Sequence, residues 1–113
     1  MDEQFSGVEF CEVVVTAADG DWLAGFTRTL VEERLAACGQ HVAPIRSVYR
    51  WQGEVHDEPE ARVALHTRRD LVPLVVARTR ELHPYEVPCV IALPLVGGNP
   101  DYLRWIDEET RHP

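Results

Sequence analysis

Apolar positions along the chain change rhythm several times, and each change marks a predicted element. Glu12-Val13-Val14-Val15-Thr16 is short and β-branched, which predicts a strand. The turn and cap residues from Thr16 to Asp21 place a helix start near Asp19 to Asp21. From Trp22 to Cys38, the side chains of Leu23, Phe26, Leu30, Val31, Leu35 and Cys38 recur at helical spacing, while Thr29, Glu32 and Glu33 fall outside the stripe. A helix with one buried face is expected there, with Gly39 as its stop. Arg34 falls inside the apolar arc, where it must snorkel to water or meet a carboxylate.

Val42 to Trp51 and Val55 to Arg68 are two extended runs joined at Gln52-Gly53, where glycine supplies the positive φ of a two-residue turn. The hairpin is longer than a small helix-backed sheet needs, so part of it should project. Ile45, Ser47, Tyr49 and Trp51 share one side and Arg46, Val48 and Arg50 the other. A projecting ribbon carrying Tyr49 and Trp51 needs apolar cover, and a second copy of the chain is the nearest source. Glu54, Asp57, Glu58 and Glu60 decorate the returning strand, with a bulge or edge expected at Pro59. Asp70 is then expected to cap a helix through Leu71, Leu74, Val75, Arg78 and Leu82, with Pro73 in its first turn. His83-Pro84 ends that helix, and Cys89 to Leu93, fenced by Pro88 and Pro94, reads as a buried strand. Asn99-Pro100 opens a terminal helix with Tyr102, Leu103, Trp105 and Ile106 on its apolar side.

The order strand, helix, strand, strand, helix, strand, helix predicts an α+β fold: a ferredoxin-like βαββαβ unit plus a C-terminal helix. Residues 1–10 read as a flexible arm and 11–113 as one domain. Nineteen acidic against eleven basic side chains give a net charge of −8, which repels phosphate backbones, so nucleic acid is not expected as a partner. No apolar run approaches the ~20 residues of a membrane helix, and no secretory signal opens the chain, so the cytoplasm is the expected compartment. Cys11, Cys38 and Cys89 lack the spacing of zinc or redox motifs and are expected to be reduced, mostly buried thiols, with Cys11 the most exposed. Cys38 and Cys89 read as core packing.

Several blocks together resemble the CutA family, the divalent-cation tolerance proteins. They are Val13-Val14-Val15-Thr16-Ala17, Leu30 to Cys38, Ser47-Val48-Tyr49-Arg50-Trp51-Gln52-Gly53, Thr67-Arg68-Arg69, His83-Pro84-Tyr85-Glu86-Val87-Pro88 and Gly98 to Leu103. The resemblance implies a homotrimer with hairpins crossing between subunits and an architecture similar to PII signalling proteins. It also implies copper or other divalent-cation binding and a role in the response to metal ions, with no reaction assigned. Copper ligands of some relatives fall at Val15, Glu60 and Leu82, so only the carboxylate is kept here, with His83 one place beyond Leu82.

Glu60 and His83 are therefore the candidate metal ligands, since imidazole and carboxylate both suit divalent ions. The alternative for His83 is a turn residue bonded to a backbone carbonyl. His41, His56, His66 and His112 show no visible convergence. Tyr49, Trp51 and Tyr85 are candidates for a subunit cleft, which gives a second functional reading: a PII-like trimer holding a small metabolite or partner peptide. No organic cofactor is expected. Nor is an enzyme, because no nucleophile, base and orienting group stand together in the sequence.

Overall fold

The computed structural model describes residues 9–112. The elements are β1 (Phe10–Ala17), α1 (Gly20–Glu32), β2 (Cys38–Trp51), β3 (Glu54–Arg68), a 3-10 turn (Arg69–Leu71), α2 (Val72–Leu82), β4 (Val90–Leu95) and α3 (Pro100–Glu109). The strands form one sheet of order β2-β3-β1-β4, every neighbour antiparallel. This is the ferredoxin-like arrangement with one helix appended. Of the expected arm, residues 1–8 lie outside the described residues, while Phe10 opens β1 and is buried.

Strand alternation sorts the core into two faces. Val13, Val15 and Ala17 of β1, with Ala61, Val63 and Leu65 of β3, pack against Leu23, Phe26 and Leu30 of α1 and Val75 of α2. Phe10 points the other way and packs with Ala37 under Leu103 and Ile106 of α3, flanked by Leu95 and Tyr102. Two caps hold as expected. The Asp19 carboxylate accepts from the N–H groups of Asp21 and Trp22 at 2.8 and 3.3 Å, and Asn99 accepts from Asp101 N–H at 3.1 Å.

The hairpin turn has positive φ at both Gln52 (50°) and Gly53 (83°), the pattern that matches strand twist. Residues 54–60 of β3 pair with β2 alone, so this part of the ribbon projects and the molecule measures 49 × 24 × 22 Å. Pro59 does lie on this free edge, but the irregularity in the ladder is on the opposite strand, between Val42 and Ile45, around a cis Ala43–Pro44 bond.

Several local expectations give way to tertiary context. The first helix stops at Glu32, because Arg34 takes a left-handed φ of 60° and turns the chain into β2. Gly39 is thus a strand residue and not a helix stop. The Arg34 side chain snorkels to the exposed surface and meets no carboxylate. It donates to the Glu108 and Glu109 carbonyls at 2.6 and 3.3 Å, at the C-terminal end of α3 where orphan acceptors lie. Asp70 caps nothing: it sits inside the 3-10 turn, with its carboxylate taken by the buried Arg68, which also reaches Asp107 at 3.6 Å. The strand expected to be buried, β4, is an edge strand paired with β1 alone. Ile91 and Leu93 are 54 and 44 % exposed, and Pro94 lies within the strand, which an edge tolerates. Thiol burial is also reversed. Cys11 is buried on β1, where desolvation pushes its thiol up despite Arg69 nearby, whereas Cys89 precedes β4 and is exposed.

Candidate functional site

Three of the predicted site residues, Glu60, His83 and Tyr85, meet where α2 hands over to β4. Pro84 forces His83 out of helical torsions, to φ −69° and ψ 135°, while its N–H still closes the helix on Thr79 O at 2.8 Å. The side chain turns inward beneath Trp22, ring centroids 5.0 Å apart. Its Nδ1 accepts from Tyr85 N–H at 3.1 Å, so Nε2 carries the proton and donates to Thr16 O at 2.8 Å. Both ring nitrogens are engaged and the residue is 7 % exposed. His83 is therefore held as a turn residue bonded to a backbone carbonyl, and a metal on it would have to displace one of these partners.

Tyr85 links this turn to the hairpin. Its O–H donates to Glu60 Oε2 at 2.8 Å, and its ring lies 4.7 Å from that of His83. Burial, then the bond to Glu60 and the charges around it, push the Tyr85 phenol up to about 12. One step out along the same face of β3, Glu58 accepts from Tyr49 O–H at 3.1 Å, and Tyr49 stacks on His56 with centroids 5.2 Å apart. Glu60, Tyr85 and His83 thus form one chain of contacts with the Tyr49–Glu58 pair beside it. Trp51 is not brought to it: it pairs with Glu54 at the turn end of the ribbon. Among the described residues, no group of three or more His, Cys, Asp or Glu side chains is placed to hold a metal ion. Val15 is fully buried in the core, and Leu82 is partly exposed at the end of α2.

A second cluster lies on the opposite end of the sheet, on the face covered by α3. His66 of β3 stands between Glu12 of β1 and Cys38 of β2, which are its register partners. Its Nε2 is 3.0 Å from Glu12 Oε1, and its Nδ1 is 2.5 Å from the Tyr102 hydroxyl on α3 and 3.8 Å from Cys38 Sγ. Cys38 Sγ and Tyr102 Oη are 3.3 Å apart. Tyr102 is held by stacking on Trp105 at 5.6 Å, and its phenol is pushed up by burial and by Cys38 and Glu12. Cys38, expected to end a helical stripe as core packing, instead opens a strand and is half-buried. Sequence reading passed over this cluster because its members come from four elements. The only signal was the period of two, which puts Glu12 and His66 on the non-core face of their strands.

A small α+β protein of ferredoxin-like topology, with an acidic ribbon projecting from its sheet, is the class that these features define. The sequence profile of the family described as CutA1 divalent ion tolerance protein matches residues 11–109. The Divalent-cation tolerance protein CutA of Thermus thermophilus is 41 % identical over 98 residues, covering 87 % of this chain and 95 % of that one. Protein CutA of Mus musculus is 43 % identical over 83 residues, covering 74 % of this chain, and the chain spans only 47 % of the mouse protein's length. The crystal structure of CutA1 from Oryza sativa superposes with a TM-score of 0.91 at 36 % identity, covering 94 % of this chain and 97 % of that one. The chain belongs to the CutA1 divalent ion tolerance family.

Proposed function

We propose that the protein binds divalent cations, copper among them, in the cytoplasm, acts in the response to metal ions, and does so as a homotrimer. The observation that carries the reading is the match of nearly the whole chain, acidic ribbon included, to proteins named for divalent-cation tolerance. On this reading the ion is held weakly, chiefly by carboxylate oxygens. Glu60 is the leading ligand, and its second oxygen is not bonded to Tyr85. His83 joins only by giving up a present hydrogen bond. Self-association is supported by the edges the subunit leaves open: the outer side of β2, the outer side of β4 and the projecting part of β3. Head-to-tail pairing of such edges around one axis closes a ring and leaves none for further growth.

Calorimetric titration with Cu2+ and Zn2+ tests the cation half of the reading. Glu60→Gln is expected to weaken binding, and an unchanged isotherm in that variant would remove Glu60. Multi-angle light scattering tests the assembly half, and a chain running as a monomer at micromolar concentration would overturn it.

A further inference from the structure

The cluster of Cys38, His66, Tyr102 and Glu12 is separate from the ribbon carboxylates, and its donor atoms are arranged as a metal site would need them. We propose that Cys38 Sγ, His66 Nδ1 and Tyr102 Oη form a three-donor site for a borderline-soft transition ion of the Zn2+ class, with Glu12 orienting the imidazole from behind. This stands whether or not Glu60 binds a cation.

The geometry starts with the histidine. A carboxylate only accepts, so Glu12 at 3.0 Å fixes the ring proton on Nε2, and the lone pair of Nδ1 faces the thiol and the phenol. A carboxylate on the far nitrogen is the usual support of a metal-bound histidine, since it sets both tautomer and ring orientation. A tetrahedral ion with a metal–sulfur distance of about 2.3 Å and a metal–nitrogen distance of about 2.0 Å holds those two atoms roughly 3.6 Å apart. Here Sγ and Nδ1 are 3.8 Å apart. Sγ and Oη, at 3.3 Å, lie within a few tenths of an ångström of the same spacing. Only the Nδ1–Oη pair, at 2.5 Å, is too close for a metal, because a hydrogen bond now joins the two atoms. On binding, the ion takes the place of that bridging proton and the pair opens. The thiol proton leaves to solvent with the phenol proton, and Sγ–metal, Nδ1–metal and Oη–metal bonds form without oxidation or reduction.

The donor set is also held in advance. Cys38, His66 and Glu12 sit on three hydrogen-bonded strands in one row of the sheet, and Tyr102 is fixed by Trp105. Thiolate with imidazole selects zinc-like ions over magnesium or calcium, and three protein donors leave a fourth position open. The His66 side chain is 12 % exposed and Cys38 and Tyr102 are half-buried, so the site is partly enclosed but reachable.

Cobalt(II) is the probe. The full-length protein, with thiols reduced, is titrated with Co2+ while the near-ultraviolet sulfur-to-cobalt charge-transfer band is followed, and Zn2+ is then added to displace it. A saturable band that Zn2+ removes is expected. Cys38→Ser should abolish the band and His66→Gln should lower affinity at least 100-fold. Glu12→Gln should lower it about 10- to 100-fold, the range for losing an outer partner of a ligand. Glu60→Gln, and a Cys11→Ala/Cys89→Ser double variant, should keep the band at parental affinity. The double variant also guards against a Cys38→Ser chain that fails to fold, since it leaves Cys38 as the only thiol. Absence of the band in the parent, its survival in Cys38→Ser, or its loss in the double variant would overturn the site. Loss of calorimetric binding in Glu60→Gln with no cobalt band anywhere would leave the ribbon reading intact and remove this one alone.

Discussion

Gly39→Ala puts a single methyl group where the packing of α1 on the sheet has no room for it. Gly39 lies on β2 opposite Leu65, and a Cβ built there falls 2.4 Å from Thr27 Cγ2, 3.0 Å from Val63 Cγ2 and 3.1 Å from Leu65 Cδ2. Ordinary contact begins at 3.4 Å, so the closest approach is short by about 1 Å. Thr27 cannot simply rotate away: it is buried and its Oγ1 donates to Leu23 O at 2.9 Å, a bond whose loss would leave a buried hydroxyl unpaired at about 1–3 kcal/mol. Val63 and Leu65 are fully buried and have no freer space to enter. Overpacking of this kind destabilises by about 1–3 kcal/mol, offset by about 0.4–1 kcal/mol from the stiffer unfolded chain, so a net loss of about 1–2 kcal/mol is expected. Thr27→Ser deletes the offending methyl and keeps the hydroxyl. The double variant Gly39→Ala/Thr27→Ser should therefore be more stable than the sum of the single losses by about 1 kcal/mol. Urea unfolding at one fixed chain concentration measures all four proteins, the fixed concentration being needed because the proposed assembly would add to apparent stability. Parental stability in Gly39→Ala, or strict additivity in the cycle, would refute the packing argument.

Asp19→Ala removes the acceptor for two N–H groups of α1 and should lower stability by about 1 kcal/mol in the same urea assay. Tyr85 should ionise near pH 12, and Glu60→Gln should bring its titration down toward the ordinary 10; ultraviolet absorbance of tyrosinate follows this, and all three tyrosines ionising together near 10 would contradict it. Because the folded value is raised, the stability tied to neutral Tyr85 is fully present below pH 10 and is lost as pH climbs through 12. Trp51→Ala should weaken self-association by about 3 kcal/mol or more, read as a shift of the light-scattering midpoint to higher concentration, since a covered indole removes a large apolar area from water.

The element order, the hairpin turn and the two caps were legible in the sequence because each is written locally, in Gln52-Gly53, in Asp19 and in Asn99-Pro100. What was not legible depends on contacts between distant segments. The apolar rhythm of α1 continues through Leu35 into Cys38, but Leu35 packs into the core between the sheet and α1, and Cys38 lies half-buried beside His66 of β3 and Tyr102 of α3, so periodicity overran the true end at Glu32. The run from Cys89 to Leu93 does mark a strand, yet sequence alone does not say whether its cover comes from the same chain. His83 was found from its family position, and its own hydrogen bonds then proved to occupy both ring nitrogens. His66 was passed over because its partners stand 28, 36 and 54 residues away along the chain.

The irregularity between Val42 and Ile45 works as a phase shifter between two ladders. Counting outward to the turn, Ile45 faces Glu60 and Trp51 faces Glu54; below the irregularity the pairing has slipped by one, so that Val42 faces Arg62 and Cys38 faces His66. An unbroken ladder would set Cys38 opposite Thr67, whose side chain points into the core toward the Leu35 carbonyl. The ribbon and the body of the sheet therefore keep separate bookkeeping of inside and outside. Matched insertions or deletions of two residues on each strand beyond Ile45 would change the reach of the ribbon by about 7 Å while leaving every facing pair below Val42 undisturbed. Arm length can drift in evolution, or be tuned by design, independently of the packed base and of the row that holds Cys38, His66 and Glu12.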